Sequence, residues 1–216
     1  MSIADNLAAV EQRIVHACDR AGRKRAEVTL VAVSKTFPAE RIEEAIAAGV
    51  THIGENRVQE ASAKKPQVRG AARWHLIGHL QSNKARDAVR LFDMIETVDS
   101  IELAQKIARA SDAAQDVLLQ VNIGEEPQKS GIVPGDLKEA VRQIGGIGNL
   151  RLLGMMAIPP VGTTDDGRKH FRRLREIRDQ IGLPELSMGM SEDFEIAIEE
   201  GSTMVRIGRA IFGPRG

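Results

Sequence analysis

One lysine near the start of the chain stands where it could react with an aldehyde. Residues 28–34 (VTLVAVS) form an apolar, β-branched run that predicts a strand, and Lys35 follows it directly, before Thr36, Phe37 and Pro38. A lysine at the carboxyl end of a buried strand can lose its proton when water is excluded, and its neutral amine can then form a Schiff base with an aldehyde. Position alone favours the alternative, an ordinary lysine in solvent.

Two segments near the other end of the chain could hold a phosphate group. Residues 186–191 (LSMGMS) predict a strand that runs into a turn of small residues and then an acidic helix, and residues 204–208 (MVRIG) predict a strand followed by a short segment at 209–212. Small residues at the ends of neighbouring strands, beside the amides of a helix start, form phosphate sites in barrels. Each segment alone is a weak signal, but together with Lys35 they predict a site for a phosphorylated aldehyde.

Two other patterns resemble binding sites and are better explained as structure. His75 and His79 are four residues apart, but the residues between them belong to a predicted strand, where this spacing does not give zinc geometry. Residues 168–178 (RKHFRRLREIR) are basic, yet an apolar stripe of Phe171, Leu174 and Ile177 runs through them, which is typical of a solvated outer helix. We therefore expect neither a metal site nor a nucleic-acid surface there.

The elements that would hold these residues alternate along the whole chain. Eight apolar runs are each followed by a helical pattern, and runs that are apolar throughout indicate strands buried on both faces and paired in parallel. This alternation predicts an α/β fold, a (β/α)8 TIM barrel, with an open doubly wound sheet as the alternative. The predicted strands are residues 28–34, 51–54, 74–78, 94–98, 117–123, 151–158, 186–190 and 204–207.

Helical spacing and turn residues complete the predicted architecture. An extra amphipathic helix at residues 2–21 precedes the barrel and ends at Gly22. Residues 159–167 (PPVGTTDDG) have turn chemistry without apolar periodicity and predict a mobile loop on the face that carries the active site in barrels. The clearest helices between strands are predicted at residues 39–48, 100–110 and 134–144.

Composition limits the classes of function. The chain has 216 residues, which suits a single domain over residues 1–216, with 30 basic and 30 acidic side chains and one cysteine, Cys18. Balanced charge argues against nucleic-acid or membrane-surface binding, and one cysteine excludes an internal disulfide framework. Without a predicted membrane span or signal peptide, we expect a cytoplasmic protein.

Over nearly its whole length the sequence resembles the pyridoxal 5′-phosphate (PLP) homeostasis protein family. The resemblance implies a monomeric fold type III barrel like the N-terminal domain of alanine racemase, with PLP as cofactor and no established turnover. The motifs that carry it are AVSKTFP (32–38), GENRVQE (54–60), WHLIGHLQSNK (74–84), KSGI (129–132), GMMAIP (154–159), LSMGMSEDFEIAI (186–198) and GSTMVRIGRAIFG (201–213).

The resemblance implies roles around the ring of the cofactor for four residues. Lys35 matches the lysine that forms the Schiff base with PLP, and Asn56 matches an asparagine in the cofactor pocket. Arg206 matches the arginine that faces the pyridine nitrogen. Lys129 stands where related racemases place an arginine near the 3′-oxygen of the cofactor, which is a weaker match.

Four further residues match the phosphate end of the site. The resemblance implies that Ser191 and the amides around Gly208 hold the phosphate, with Ser187 and Met188 on the adjoining wall. These residues belong to the two segments that the strand and turn patterns indicate independently.

Arg206 bears on whether such a protein would be an enzyme. A fixed guanidinium disfavours a second positive charge beside it, so the ring nitrogen would stay unprotonated and PLP would be a poor electron sink. The resemblance implies that racemases of this fold add a second base, a tyrosine from an extra C-terminal domain. This sequence contains no tyrosine, and eight residues follow Gly208. We therefore expect no second catalytic base.

The expected function is to bind PLP on Lys35, to buffer it and to deliver it to PLP-dependent apoenzymes. The alternative is a small amino-acid racemase or another PLP-dependent enzyme with Lys35 as its only base. A third interpretation, a barrel that binds some other phosphorylated metabolite, holds only if Lys35 forms no imine.

Overall fold

A computed structural model describes residues 2–160 and 162–214, and its strands close into a parallel barrel. The strands are β1 (Thr29–Val33), β2 (His52–Glu55), β3 (Arg73–Leu76), β4 (Met94–Val98), β5 (Gln115–Val121), β6 (Leu150–Ala157), β7 (Glu185–Ser187) and β8 (Met204–Ile207). Each strand pairs with the next along the chain, and β8 pairs with β1. The (β/α)8 barrel is therefore confirmed, and the open sheet is wrong.

Helices surround this barrel, and each prominent predicted helix is present. They are α1 (Ile3–Arg20), α2 (Ala39–Ala47), α3 (Val58–Lys64), α4 (Ala85–Leu91), α5 (Ile101–Ala110), α6 (Leu137–Gly145), α7 (Thr164–Ile181), α8 (Phe194–Glu199) and α9 (Arg209–Phe212). None of the helices in the described ranges is both long and apolar enough to cross a membrane.

The extra helix α1 covers the outside of the barrel next to the β8–β1 seam. Ser2 caps it by accepting a hydrogen bond from the Asp5 amide, and a stripe from Ile3 to Cys18 is buried against α8 and α9. Arg13 holds Glu195 of α8 through two hydrogen bonds of 3.0 and 2.9 Å. This contact ties the first helix to an element that follows the predicted phosphate turn.

Two sequence predictions need correction at their boundaries. The strand predicted at 186–190 ends at Ser187, because Gly189 has a φ of 91°, in the left-handed region, and turns the chain out of the sheet. The loop predicted at 159–167 is too long, because Thr163 and Asp166 form a capping box that starts α7 at Thr164. Val161 of that loop lies outside the described residues.

The hydrophobic core has two parts. The larger part fills the space between the strands and the surrounding helices, and it includes Phe171 and Leu174 of the predicted outer helix. The smaller part lies apart from it and consists of Met94, Leu118, Met156 and Met204, all carried by strands. The strands that carry this second cluster also carry buried polar side chains, among them Glu96 and Arg206, which belong to the candidate site.

The β6–β7 pairing depends on a residue without a side chain. Gly154 pairs with Leu118 of β5 and Glu185 of β7, and a Cβ atom at this position would lie 2.0 Å from the Glu185 carbonyl oxygen. We predict that Gly154→Ala lowers the free energy of unfolding by about 3 kcal/mol, because backbone would have to move. Urea denaturation followed by circular dichroism measures the change.

Gly145→Ala is the matched control. A Cβ atom there would meet no heavy atom within 4 Å in the described part of the chain, and the residue lies at the end of α6. This substitution should be neutral or stabilising by up to about 1 kcal/mol. Equal stability of Gly154→Ala and the wild type would contradict the packing described for β6 and β7.

Candidate functional site

A cavity of about 460 Å³ opens at the carboxyl ends of the strands. It is within the size range of small-molecule sites. Among the residues that line it are five of the predicted site residues, Lys35, Asn56, Ser191, Arg206 and Gly208. The structure thus brings together side chains from both ends of the chain, and their roles toward a cofactor stay predictions.

Lys35 is presented by a tight turn after β1. The Phe37 amide donates to the Ser34 carbonyl oxygen over 3.1 Å, and Thr36, between them, has a φ of 70°. A β-branched residue in the left-handed region is strained, and such strain persists only where surrounding contacts hold it. One such contact is the Thr36 amide, which donates to the Glu60 carboxylate over 3.2 Å.

The back of this turn rests on a buried carboxylate that the sequence analysis did not single out. Ser34 Oγ donates to Glu55 Oε1 over 2.7 Å, and Lys64 Nζ donates to the same oxygen over 2.8 Å and to the Ser34 carbonyl over 3.1 Å. Burial raises the pKa of the Glu55 carboxyl, and the hydrogen bonds from Lys64 and Ser34 oppose that rise. Glu55 and Glu60 lie in the GENRVQE motif, which could have pointed to both residues from the sequence.

A second turn, which lines the same cavity as Lys35, has amides that could bind an anion. Asp193 donates its amide to the Met190 carbonyl over 3.1 Å and accepts from the Met190 amide over 2.6 Å, which closes a turn around Ser191 and Glu192. Residues at the centre of such a turn keep their amides free of the turn's own hydrogen bonds. Burial raises the pKa of the Asp193 carboxyl, and the Met190 amide and Arg206 oppose that rise.

Gly208 brings the first turn of α9 to the same side of the cavity. A Cβ atom at Gly208 would lie 3.2 Å from the Val33 carbonyl oxygen, so the backbone of β8 approaches that of β1 closely. The first-turn amides of a helix have no partner within the helix and can bind an anion. Arg209 Nη2 donates to Glu192 Oε1 over 2.9 Å, which links this segment to the Ser191 turn.

Arg206 reaches the cavity from inside the barrel. It is 4% exposed, and its Nη1 and Nη2 atoms donate to Ser187 Oγ over 2.6 Å and to the Ala157 carbonyl over 3.0 Å. Burial lowers the pKa of the guanidinium, and the carboxylates of Glu96 and Asp193 oppose that shift. Arginine remains a cation under such conditions, so it presents a positive charge to the cavity.

A chain of hydrogen bonds continues from Arg206 through the barrel. Ser187 Oγ donates to Glu96 Oε2 over 2.6 Å, His75 Nδ1 bonds Glu96 Oε1 over 2.7 Å, and His52 Nδ1 bonds His75 Nε2 over 2.9 Å. Burial would raise the pKa of the Glu96 carboxyl, but His75, Arg206 and Ser187 bring it below its ordinary value. Sequence reasoning set His75 aside and did not consider His52 or Glu96.

Three of the predicted site residues do not line the cavity. Ser187 is fully buried behind Arg206, and Met188 is fully buried in the larger core. Lys129 is held in a loop after β5, where its Nζ lies 2.6 Å from Glu126 Oε1 and 3.3 Å from the Pro159 carbonyl. Ser187 ends β7 and Met188 directly follows it, and neither is among the described residues that line the cavity, so the roles expected for them stay predictions.

The histidines expected not to bind zinc are both engaged elsewhere. His75 is fully buried against Glu96, and His79 lies 3.3 Å from Asp99 at the surface. Across residues 2–160 and 162–214, no three His, Cys, Asp or Glu side chains are grouped so as to hold a metal ion.

Comparisons with known proteins point to one family. The family model of the alanine racemase N-terminal domain matches residues 6–216. The pyridoxal phosphate homeostasis proteins of Aquifex aeolicus and Pseudomonas aeruginosa are 43% and 45% identical, with 100% and 99% of this chain and 99% and 96% of those proteins covered. The structure of PipY of Synechococcus elongatus PCC7942, with PLP bound, matches at a TM-score of 0.87 and 38% identity, over 98% of this chain and 100% of PipY.

The half-buried His52 should make the stability of the protein depend on pH. Burial and the neighbouring His75 lower the pKa of His52 from 6.5 to about 4, so the unfolded state binds a proton more readily than the folded state. Stability should therefore fall as the pH drops from 6.5 toward 4. We predict that the free energy of unfolding falls by about 1 kcal/mol less between pH 7 and pH 5 in His52→Gln than in the wild type. This figure takes into account that His52 is partly exposed to solvent.

Urea denaturation at pH 7, 6 and 5 measures this effect. His16→Gln, which changes an exposed histidine on α1, is the control and should follow the wild-type pH dependence. A His52→Gln protein with the same pH dependence as the wild type would show that His52 is not held neutral by the fold.

Proposed function

We propose that this chain, which belongs to the pyridoxal phosphate homeostasis protein family within the alanine racemase N-terminal domain fold, binds PLP as a Schiff base on Lys35. In this role it buffers a reactive aldehyde and delivers it to PLP-dependent apoenzymes. The observation that carries the proposal is one cavity lined by Lys35, by Ser191 of the turn after β7 and by Gly208 at the start of α9. PLP has an aldehyde, which suits the amine of Lys35, and a phosphate, which suits the amides of the cavity.

The residues that line the cavity fit this cofactor chemically. PLP supplies an aldehyde that condenses with a primary amine, and Lys35 supplies the amine. The Ser191 hydroxyl and the amides near Gly208 are donors suited to a phosphate, and both residues line the cavity. Asn56 lines the cavity as well and offers a neutral donor and acceptor.

The electrostatics of the cavity favour storage over turnover. The Arg206 guanidinium would disfavour a proton on the ring nitrogen of a bound PLP, which would make the cofactor a weaker acceptor of electrons. Racemisation also needs a positioned base on each side of the substrate, and the 216 residues include no tyrosine for the second position. We therefore assign the chain a binding and transfer role.

The proposal extends to how the protein works in the cell. We treat residues 1–216 as one PLP-binding domain that acts as a cytoplasmic monomer. Release to an apoenzyme is compatible with a cavity that opens at the strand ends, because the Schiff base can be reversed by water or by another amine.

The first prediction of this function concerns the lysine. Incubation with PLP followed by borohydride should fix the cofactor on Lys35, and Lys35→Ala should lose the absorption band of the bound cofactor. Peptide mapping by mass spectrometry identifies the modified lysine. Pyridoxal, which lacks the phosphate, should label Lys35 much more weakly because the charge-assisted hydrogen bonds are absent.

Lys84→Ala is a control that removes a lysine outside the cavity lining and should label like the wild type. A reduced adduct found mainly on Lys84, Lys129 or another lysine would contradict the site. Equal labelling by pyridoxal and PLP would contradict the phosphate cradle.

The second prediction separates a carrier from an enzyme. The PLP-loaded protein, incubated with single L-amino acids in deuterated water, should show no inversion and no α-deuterium uptake above that of free PLP, because two positioned bases are required. Nuclear magnetic resonance and chiral chromatography measure the two quantities. Rapid exchange with inversion that disappears in Lys35→Ala would overturn the carrier role and identify an amino-acid racemase.

A further inference from the structure

The interior of this barrel contains an ionic chain where barrels ordinarily pack branched apolar side chains. The chain runs from His52 on β2 through His75, Glu96 and Ser187 to Arg206 on β8. His75, Glu96 and Ser187 are fully buried. Burying a carboxylate and a guanidinium costs free energy that their attraction seldom exceeds. Stability alone is therefore a weak explanation for this series of hydrogen bonds.

The hydrogen bonds leave Arg206 little freedom. Arg206 Nη1 lies 4.0 Å from Glu96 Oε2, and the Ser187 hydroxyl lies between them, accepting from the guanidinium and donating to the carboxylate. The other guanidinium nitrogen donates to the Ala157 carbonyl. Because a guanidinium is planar, two fixed nitrogens set the direction of its remaining edge.

The carboxylate is fixed in its turn by the two histidines. Glu96 Oε1 accepts from His75 Nδ1 over 2.7 Å, and the other ring nitrogen of His75, Nε2, lies 2.9 Å from His52 Nδ1. Glu96 and Arg206 are an oppositely charged pair, and Asp193 is the other carboxylate that acts on the guanidinium, from the cavity side. The contacts of Glu96 with His75 and Ser187, and those of Arg206 with Ser187 and the Ala157 carbonyl, thus determine the orientation of both charged groups.

We propose that Glu96 and His75 are positioning residues, which hold the Arg206 guanidinium toward the cofactor cavity through Ser187. This inference rests on the proposed function, since it assigns a purpose to the orientation of Arg206. It also gives Ser187 a role that acts through Arg206 and needs no contact with the cavity.

A buried carboxylate with a purely structural role should not affect the bound cofactor, and this protein contains one that can serve as a control. Glu200 is also a buried carboxylate, 4% exposed, and it pairs with Arg168 and Arg172 on the outside of the barrel at distances of 3.0 and 2.9 Å. Glu96→Gln and Glu200→Gln each remove one buried negative charge. Only the first changes a charge next to Arg206.

The main experiment titrates the absorption spectrum of the PLP-loaded protein with pH. In Glu96→Gln the positive charge of Arg206 is no longer balanced, so the protonated form of the bound cofactor is disfavoured and the spectral midpoint should fall by about half a pH unit or more. Glu200→Gln should keep the wild-type midpoint. Equal midpoints in wild type and a folded Glu96→Gln protein would overturn the proposal.

Ser187→Ala tests the link without changing a charge and serves if Glu96→Gln does not fold. Loss of one acceptor for the guanidinium should weaken PLP binding about fivefold, although Ser187 does not line the cavity. Ser111→Ala, which removes a buried hydroxyl at the end of α5, should leave the affinity unchanged. Unchanged affinity in Ser187→Ala would overturn the proposal.

A measurement without PLP separates this proposal from the proposed function. In the cofactor-free protein, ¹⁵N nuclear magnetic resonance should detect Arg206 guanidinium protons that are protected from solvent exchange, with faster exchange in Glu96→Gln and Ser187→Ala. If wild-type protein takes up no PLP but this pattern is seen, the proposed function fails while the support of Arg206 stands. If exchange is equally fast in all three proteins, the positioning role fails.

Discussion

Closure of the barrel is the constraint on which the candidate site depends. The pairing of β1 with β8 sets Val31 opposite Arg206 and Ala32 opposite Ile207, so the chain segments after these two strands emerge side by side. Lys35 follows one of these strands and Gly208 follows the other. Without this seam the amine and the helix-start amides would be separated by most of the chain. The close approach of Gly208 to the Val33 carbonyl belongs to the same seam, since a side chain there would push the two backbones apart.

The seam is held from two sides by unrelated sets of contacts. Outside the barrel, Glu55 and Lys64 hold the Ser34 backbone and side chain, and Glu60 holds the strained Thr36. Inside the barrel, Glu96 and Ser187 hold Arg206. Both sets bury a carboxylate, which costs stability unless its partners are well placed. Two buried carboxylates therefore lower the stability of the fold near one cavity, while the remaining core is largely apolar. Such a local cost in stability is expected at a binding site.

Much of this architecture could be predicted from the sequence because it follows from periodicity. Apolar, β-branched runs marked all eight strands, and β4 and β8 have the predicted bounds. Lys35, Ser191 and Gly208 could be placed at the cavity because each directly follows a predicted strand. The direction of side chains is harder to predict. Ser187 and Met188 lie where a strand gives way to a turn, and the pattern of residue types does not say which way each side chain points after that change.

The interior chain was beyond prediction for a different physical reason. His52, His75 and Glu96 lie on three strands, and their contacts depend on the strand register of the closed barrel, in which His75 pairs with Gly54 on one side and Met94 on the other. A polar residue within an apolar strand pattern signals only that a partner must exist, because an unpaired buried charge is too costly. Partners from β3, β4, β7 and β8 meet inside the barrel and share one hydrogen-bonded path. That path ends at Arg206, which lines the cavity, so the buried polar contacts inside the barrel connect three other strands to the predicted cofactor site.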